Sequence, residues 1–74
     1  MPGLKVEDLV DIFQHHPPTT EQIPSYETIR AAGYAFARVI LENTPGSPDQ
    51  TVAIRKVREA VMVANASIAL GGMY

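Results

Sequence analysis

The 74-residue chain contains no cysteine and no tryptophan, and its two histidines, His15 and His16, stand side by side. Disulfide staples are therefore excluded, and an adjacent histidine pair without further ligands at metal spacing does not read as a metal site. Excess positive charge is also missing. Six Lys or Arg against eight Asp or Glu leave a net charge of −2, so the molecule as a whole repels a polyanion such as duplex DNA. A small anion held by one or two arginines is still compatible with that balance, because a pocket needs only local positive charge. The sequence also lacks a nucleophile elbow, a zinc signature and a phosphate-binding glycine loop, and no catalytic residue or cofactor is assigned. The start, Met1-Pro2-Gly3 followed by Lys5, Glu7, Asp8 and Asp11, has no signal-peptide apolar run, and the expected location is cytoplasmic.

What is present reads as an all-α chain, a single domain over 1–74. Val6, Leu9, Val10 and Phe13 fall at offsets of three, four and seven, which predicts a short helix over 5–13 with one apolar face. His15-His16-Pro17-Pro18 then forces an extended, stiff connector, since prolines exclude a continuing helix and push the preceding residues toward extended backbone. A second helix is expected over 20–43. Its start is open between a cap at Thr19 or Thr20, with Pro24 in the first turn, and a cap at Ser25. Ile29, Ala32, Phe36, Val39 and Ile40 carry its apolar spacing, and Asn43-Thr44-Pro45-Gly46 breaks it.

The third helix, over 47–70, has the clearest beginning. Ser47-Pro48-Asp49-Gln50 offers an N-cap, a proline at the first helical position, an acid near the positive end of the helix dipole and a Gln that completes a capping box. Gly71-Gly72 supplies a left-handed stop. The two long helices, each of roughly 23 residues and ~35 Å, form an antiparallel hairpin.

The end of the third helix argues for an oligomer. From Ala60 to Leu70 there is no charge on any side, whereas a helix packed on one partner should show a polar face. That stretch is too short for a bilayer crossing, which takes about 20 residues. Its small residues favour close helix approach, and a chain of this size is marginal as a monomer.

Several residues are candidates for binding. Arg30, Tyr34 and Arg38 recur every four residues along one stripe of the second helix. They read either as a phosphate grip or as a solvated stripe paired with Glu27 and Glu42. In the connector, His15 and His16 could cap a helix or stack on a base. Asn65, an amide inside the uncharged stretch, requires partners if buried and could meet a neighbouring chain or a ligand.

Three ordered blocks carry a resemblance to a known family: Ile12 to Pro18, Tyr26 to Ala32, and Glu59 to Ala69. Together they resemble the phage anti-CBASS cyclic-nucleotide sponges, whose helical hairpin is shared with one of the Thoeris anti-defence sponges. The resemblance implies a hexamer, built as a trimer of dimers, that binds cyclic dinucleotides such as cGAMP between subunits in the infected bacterial cell and does not cleave them. Relatives of the Thoeris type bind cyclic ADP-ribose isomers. The resemblance further implies that His15 occupies the base-stacking position, where the family often has tyrosine, and that Arg30 occupies the phosphate-binding cation position. Phe13 and Pro17 would wall the pocket. Leu70 stands where the family often places an arginine associated with a cyclic-trinucleotide site. The rival reading is a helical oligomer that binds another protein and no nucleotide.

Overall fold

A computed structural model describes residues 3–74. Its helices are α1 (Val6–Phe13), α2 (Ile23–Asn43) and α3 (Pro48–Ala69), and there is no strand among the described residues. The chain is thus all-α, as the periodicity predicts.

The start of α2 lies at Ile23, three residues beyond the expected position, and the cause is visible in the turn before it. The Thr19 N–H donates to Gln22 Oε1 (3.1 Å), while the Gln22 N–H donates to Thr19 Oγ1 (3.3 Å), a capping box one turn ahead of the regular helix. Pro24 sits in the first turn, where its missing N–H costs nothing. Ser25 is not the N-cap, because its own N–H already donates to the Gln22 carbonyl.

The beginning of α3 follows the sequence more closely. Ser47 Oγ accepts from the Gln50 N–H at 3.1 Å, with Pro48 at the first helical position and Asp49 in the first turn. The Gln50 side chain does not reach back to complete the box. Its Nε2 donates instead to the carbonyl (3.1 Å) and hydroxyl (3.0 Å) of Thr44, tying the end of α2 to the start of α3. Ser47→Ala should therefore lower stability by about 1 kcal/mol, the ordinary value of an N-cap, read as a shift in the thermal midpoint.

At the other end, Gly71 and Gly72 have φ of 63° and 75°. The Gly72 N–H donates to the Ser67 carbonyl and the Gly71 N–H to the Ile68 carbonyl, the two bonds of a Schellman stop.

α2 and α3 form the only packed helix pair among the described residues. Gln22, just before α2, donates to the carbonyl of Ile68 near the end of α3, which fixes the pair as antiparallel. Close approach in the middle comes from Gly33, where an added Cβ would lie 2.5 Å from Val61 Cγ2. α1 stands apart. It is held through the Tyr74 hydroxyl, which lies 3.2 Å from Asp11 Oδ2 and 3.4 Å from Asp8 Oδ1, and through His16. Partial desolvation, the hydrogen bond to Asp11 and the two carboxylate charges raise the Tyr74 pKa above its ordinary value, so the neutral phenol is the form that holds α1.

No described residue is buried in the single chain. The apolar face of α1 is open, with Phe13 84% exposed, and Val63 in the uncharged stretch of α3 is 70% exposed. The radius of gyration is 15.5 Å, against about 11 Å for a compact domain of this length. Among the described residues, no helix is long and apolar enough to cross a membrane.

Candidate functional site

Where the connector crosses the open end of the hairpin, a cleft of about 370 Å³ is formed by Ile23, Tyr26, Glu27 and Arg30 of α2, Asn65 of α3, and His16 and Pro18 of the connector. Helical spacing explains the α2 contribution, since residues three or four apart share a face. The Gln22 to Ile68 bond holds the wall carrying Asn65 against the wall carrying Arg30.

The side chains in this cleft differ in how well they are satisfied. Arg30 makes no ion pair or hydrogen bond among the described residues, even with Glu27 three positions earlier. Its exposed guanidinium leaves its donors open to water or to a ligand. Arg38 is different, because its Nε lies 2.6 Å from Glu42 Oε1 in an exposed helical pair.

Asn65 Oδ1 is buried with no hydrogen-bond partner among the described residues. An orphan acceptor of this kind costs about 1–3 kcal/mol until a donor meets it. His16 Nε2 lies 2.6 Å from the Asp11 carbonyl oxygen, and because that oxygen can only accept, Nε2 carries the proton. The imidazole thereby caps the end of α1 rather than the helix that follows, and its Asp11 contact fixes the connector wall of the cleft.

The cleft therefore brings together Arg30, Asn65 and His16 of the candidate residues. His15 and Pro17 are exposed on the connector, and Phe13 is exposed at the end of α1; none of the three lines this cleft in the single chain. Tyr34 and Arg38 line a different cleft of about 400 Å³ with Ala37, Leu41, Glu42 and Ile54. Tyr34 lies about one turn and Arg38 about two turns beyond Arg30, past the Ile23 to Arg30 stretch of α2 that lines the first cleft.

Tyr26 and Glu27 enter the site without having been singled out as ligand residues, and His16 lines it where the resemblance favours His15. Tyr26 had a usable signal, since it lies four positions before Arg30 on the same stripe. For His16 the signal was weaker: in extended backbone, neighbours face opposite ways, and sequence alone does not say which of two adjacent histidines turns inward.

A larger groove of about 610 Å³ runs along the hairpin between Ile29, Phe36 and Ile40 of α2 and Ala53, Val57 and Ala64 of α3. It is almost wholly apolar.

The cleft thus offers a small ligand two unmatched groups on one helical hairpin, the Arg30 guanidinium as donor and Asn65 Oδ1 as acceptor. Residues 6–69 match the family described as "Acb2/Tad1, hairpin domain", and the chain belongs to that family. Its members are phage sponges that sequester cyclic nucleotides, directed against the CBASS and Thoeris defences. No curated protein and no solved structure matches the chain.

Proposed function

We propose that this protein binds cyclic dinucleotides, cGAMP among them, in clefts completed by a second copy of the chain, and withdraws them from the bacterial effectors they activate. The observation that carries the reading is Arg30, a guanidinium left without a carboxylate partner in an open cleft. Phosphate oxygens are its natural complement, since guanidinium donates to them bidentately and stays charged at any physiological pH.

The second copy supplies what one chain lacks. His15 and Phe13 are exposed and do not line their own cleft, so they reach ligand from a neighbour, where His15 stacks on a base and Phe13 with Pro17 excludes water. The apolar groove and the open end of α3 give such neighbours a surface to cover, and a hexamer arranged as a trimer of dimers is the assembly that family membership supports. Tyr34 and Arg38 have no role at this site, because Arg38 is paired with Glu42 and both lie in the other cleft. Asn65 receives a donor either from the ligand or from the neighbouring backbone.

Sequestration is mass action on free messenger and needs no cofactor. It takes place in the cytoplasm of the infected bacterial cell, where the messenger is made. Calorimetric titration with cyclic dinucleotides tests the reading: saturable binding is expected, with the ligand recovered chemically intact after heat denaturation. A flat titration, or a hydrolysed ligand, rejects it. The same flat titration would favour the apolar groove as a docking surface for another protein.

A further inference from the structure

Glu27 is out of place in a cleft meant for an anion. Its carboxylate lines the same wall as Arg30, one helical turn away, and is not neutralised by it. Beside a phosphodiester that charge repels, so it favours binding only if the ligand offers it hydrogen-bond donors. A carboxylate accepts and never donates when ionised, and it is satisfied best by two parallel N–H groups.

Among nucleobases, guanine presents that pattern, with the N1–H and the exocyclic N2–H side by side on one edge. Adenine shows a single exocyclic amino group next to the N1 lone pair, which faces a carboxylate unfavourably. Uracil shows one N–H between two carbonyl oxygens. Tyr26, half-buried on the same stripe, offers a ring face against which a purine can lie while its edge points at Glu27.

We infer that Glu27 is a specificity-determining residue that reads the donor edge of guanine, so that this protein prefers guanine-containing cyclic dinucleotides to all-adenine ones. The inference rests on the sponge reading above and deepens it by naming the class of base. A bidentate pair of this type discriminates against the wrong base by about tenfold or more.

The test is a calorimetric comparison of cyclic di-GMP and cyclic di-AMP on the intact protein and on Glu27→Gln. Wild-type protein should bind cyclic di-GMP at least about tenfold more tightly than cyclic di-AMP. Glu27→Gln should weaken cyclic di-GMP, because one acceptor is replaced by a donor, and strengthen cyclic di-AMP, because a negative charge near the phosphates is gone. Opposite shifts for the two ligands cannot come from a general loss of folding. Equal wild-type affinities, or a variant that weakens both ligands alike, overturn the role of Glu27 and leave the sponge reading standing. Failure of the wild-type protein to bind either ligand removes that reading and this inference with it.

Discussion

Arg30→Ala should reduce cyclic dinucleotide affinity by one to two orders of magnitude while leaving the assembly intact. The size follows from the interaction lost, since hydrogen bonds to charged groups are worth about 1.5–3 kcal/mol and each ~1.4 kcal/mol is a factor of ten. The assembly should survive because Arg30 is exposed and binds nothing within the chain, so its removal leaves no buried group without a partner. Arg30→Lys should recover the charge but not the fork geometry, and its affinity should fall between the two. Titration calorimetry alongside sedimentation of the same samples separates binding from assembly. An alanine variant with undiminished affinity would place the phosphates elsewhere.

The largest expected effect on stability is at Gly33. A methyl there would already lie 2.5 Å from Val61 Cγ2, and valine is stiff about its first torsion, so the neighbour cannot swing aside easily. Gly33→Ala has a partial offset, because alanine is better than glycine in a helix interior by about 1 kcal/mol. Gly33→Val has no such relief. Overpacking costs about 1–3 kcal/mol, with the bulkier branched side chain at the upper end. In a domain of this size each kcal/mol moves the thermal midpoint by about 4–8 °C, so a fall of roughly 10 °C or more is expected. The swapped double variant, Gly33→Val with Val61→Gly, should regain most of the loss. Thermal unfolding followed by circular dichroism measures both, and no rescue in the double variant would mean that the two helices do not meet at this pair.

The helix boundaries were readable where local chemistry has one outcome. Ser47 before Pro48 leaves little choice of cap, and two adjacent glycines at 71 and 72 offer the left-handed conformation that other residues resist. The readings weakened where one side chain had two possible partners. Gln50 fits a capping box with Ser47 on sequence grounds, yet the unsatisfied carbonyl and hydroxyl of Thr44 compete for it across the turn and win. The start of α2 blurred for a related reason: the Thr19 to Gln22 box begins the turn, but the regular helix follows only at Ile23.

The candidate cleft was legible only in part. Arg30 and Asn65 were each singled out by residue type, but their meeting depends on the packing of α2 against α3, which joins residues far apart in sequence. The choice between His15 and His16 turns on the single hydrogen bond that His16 makes to the Asp11 carbonyl. Glu27 was legible only as a prospective salt-bridge partner of Arg30, and the absence of that pair is what gives both side chains a different use.

Sedimentation velocity of the purified full chain, without ligand, addresses most directly the claim on which the rest depends: that one copy is an incomplete structure whose open apolar surfaces and half-built cleft are finished by others. The account predicts a single species with a mass several times that of one chain, persisting on dilution to low micromolar concentration. A folded protein that sediments as a monomer would contradict it, because no second copy would then be present to close the cleft over Arg30.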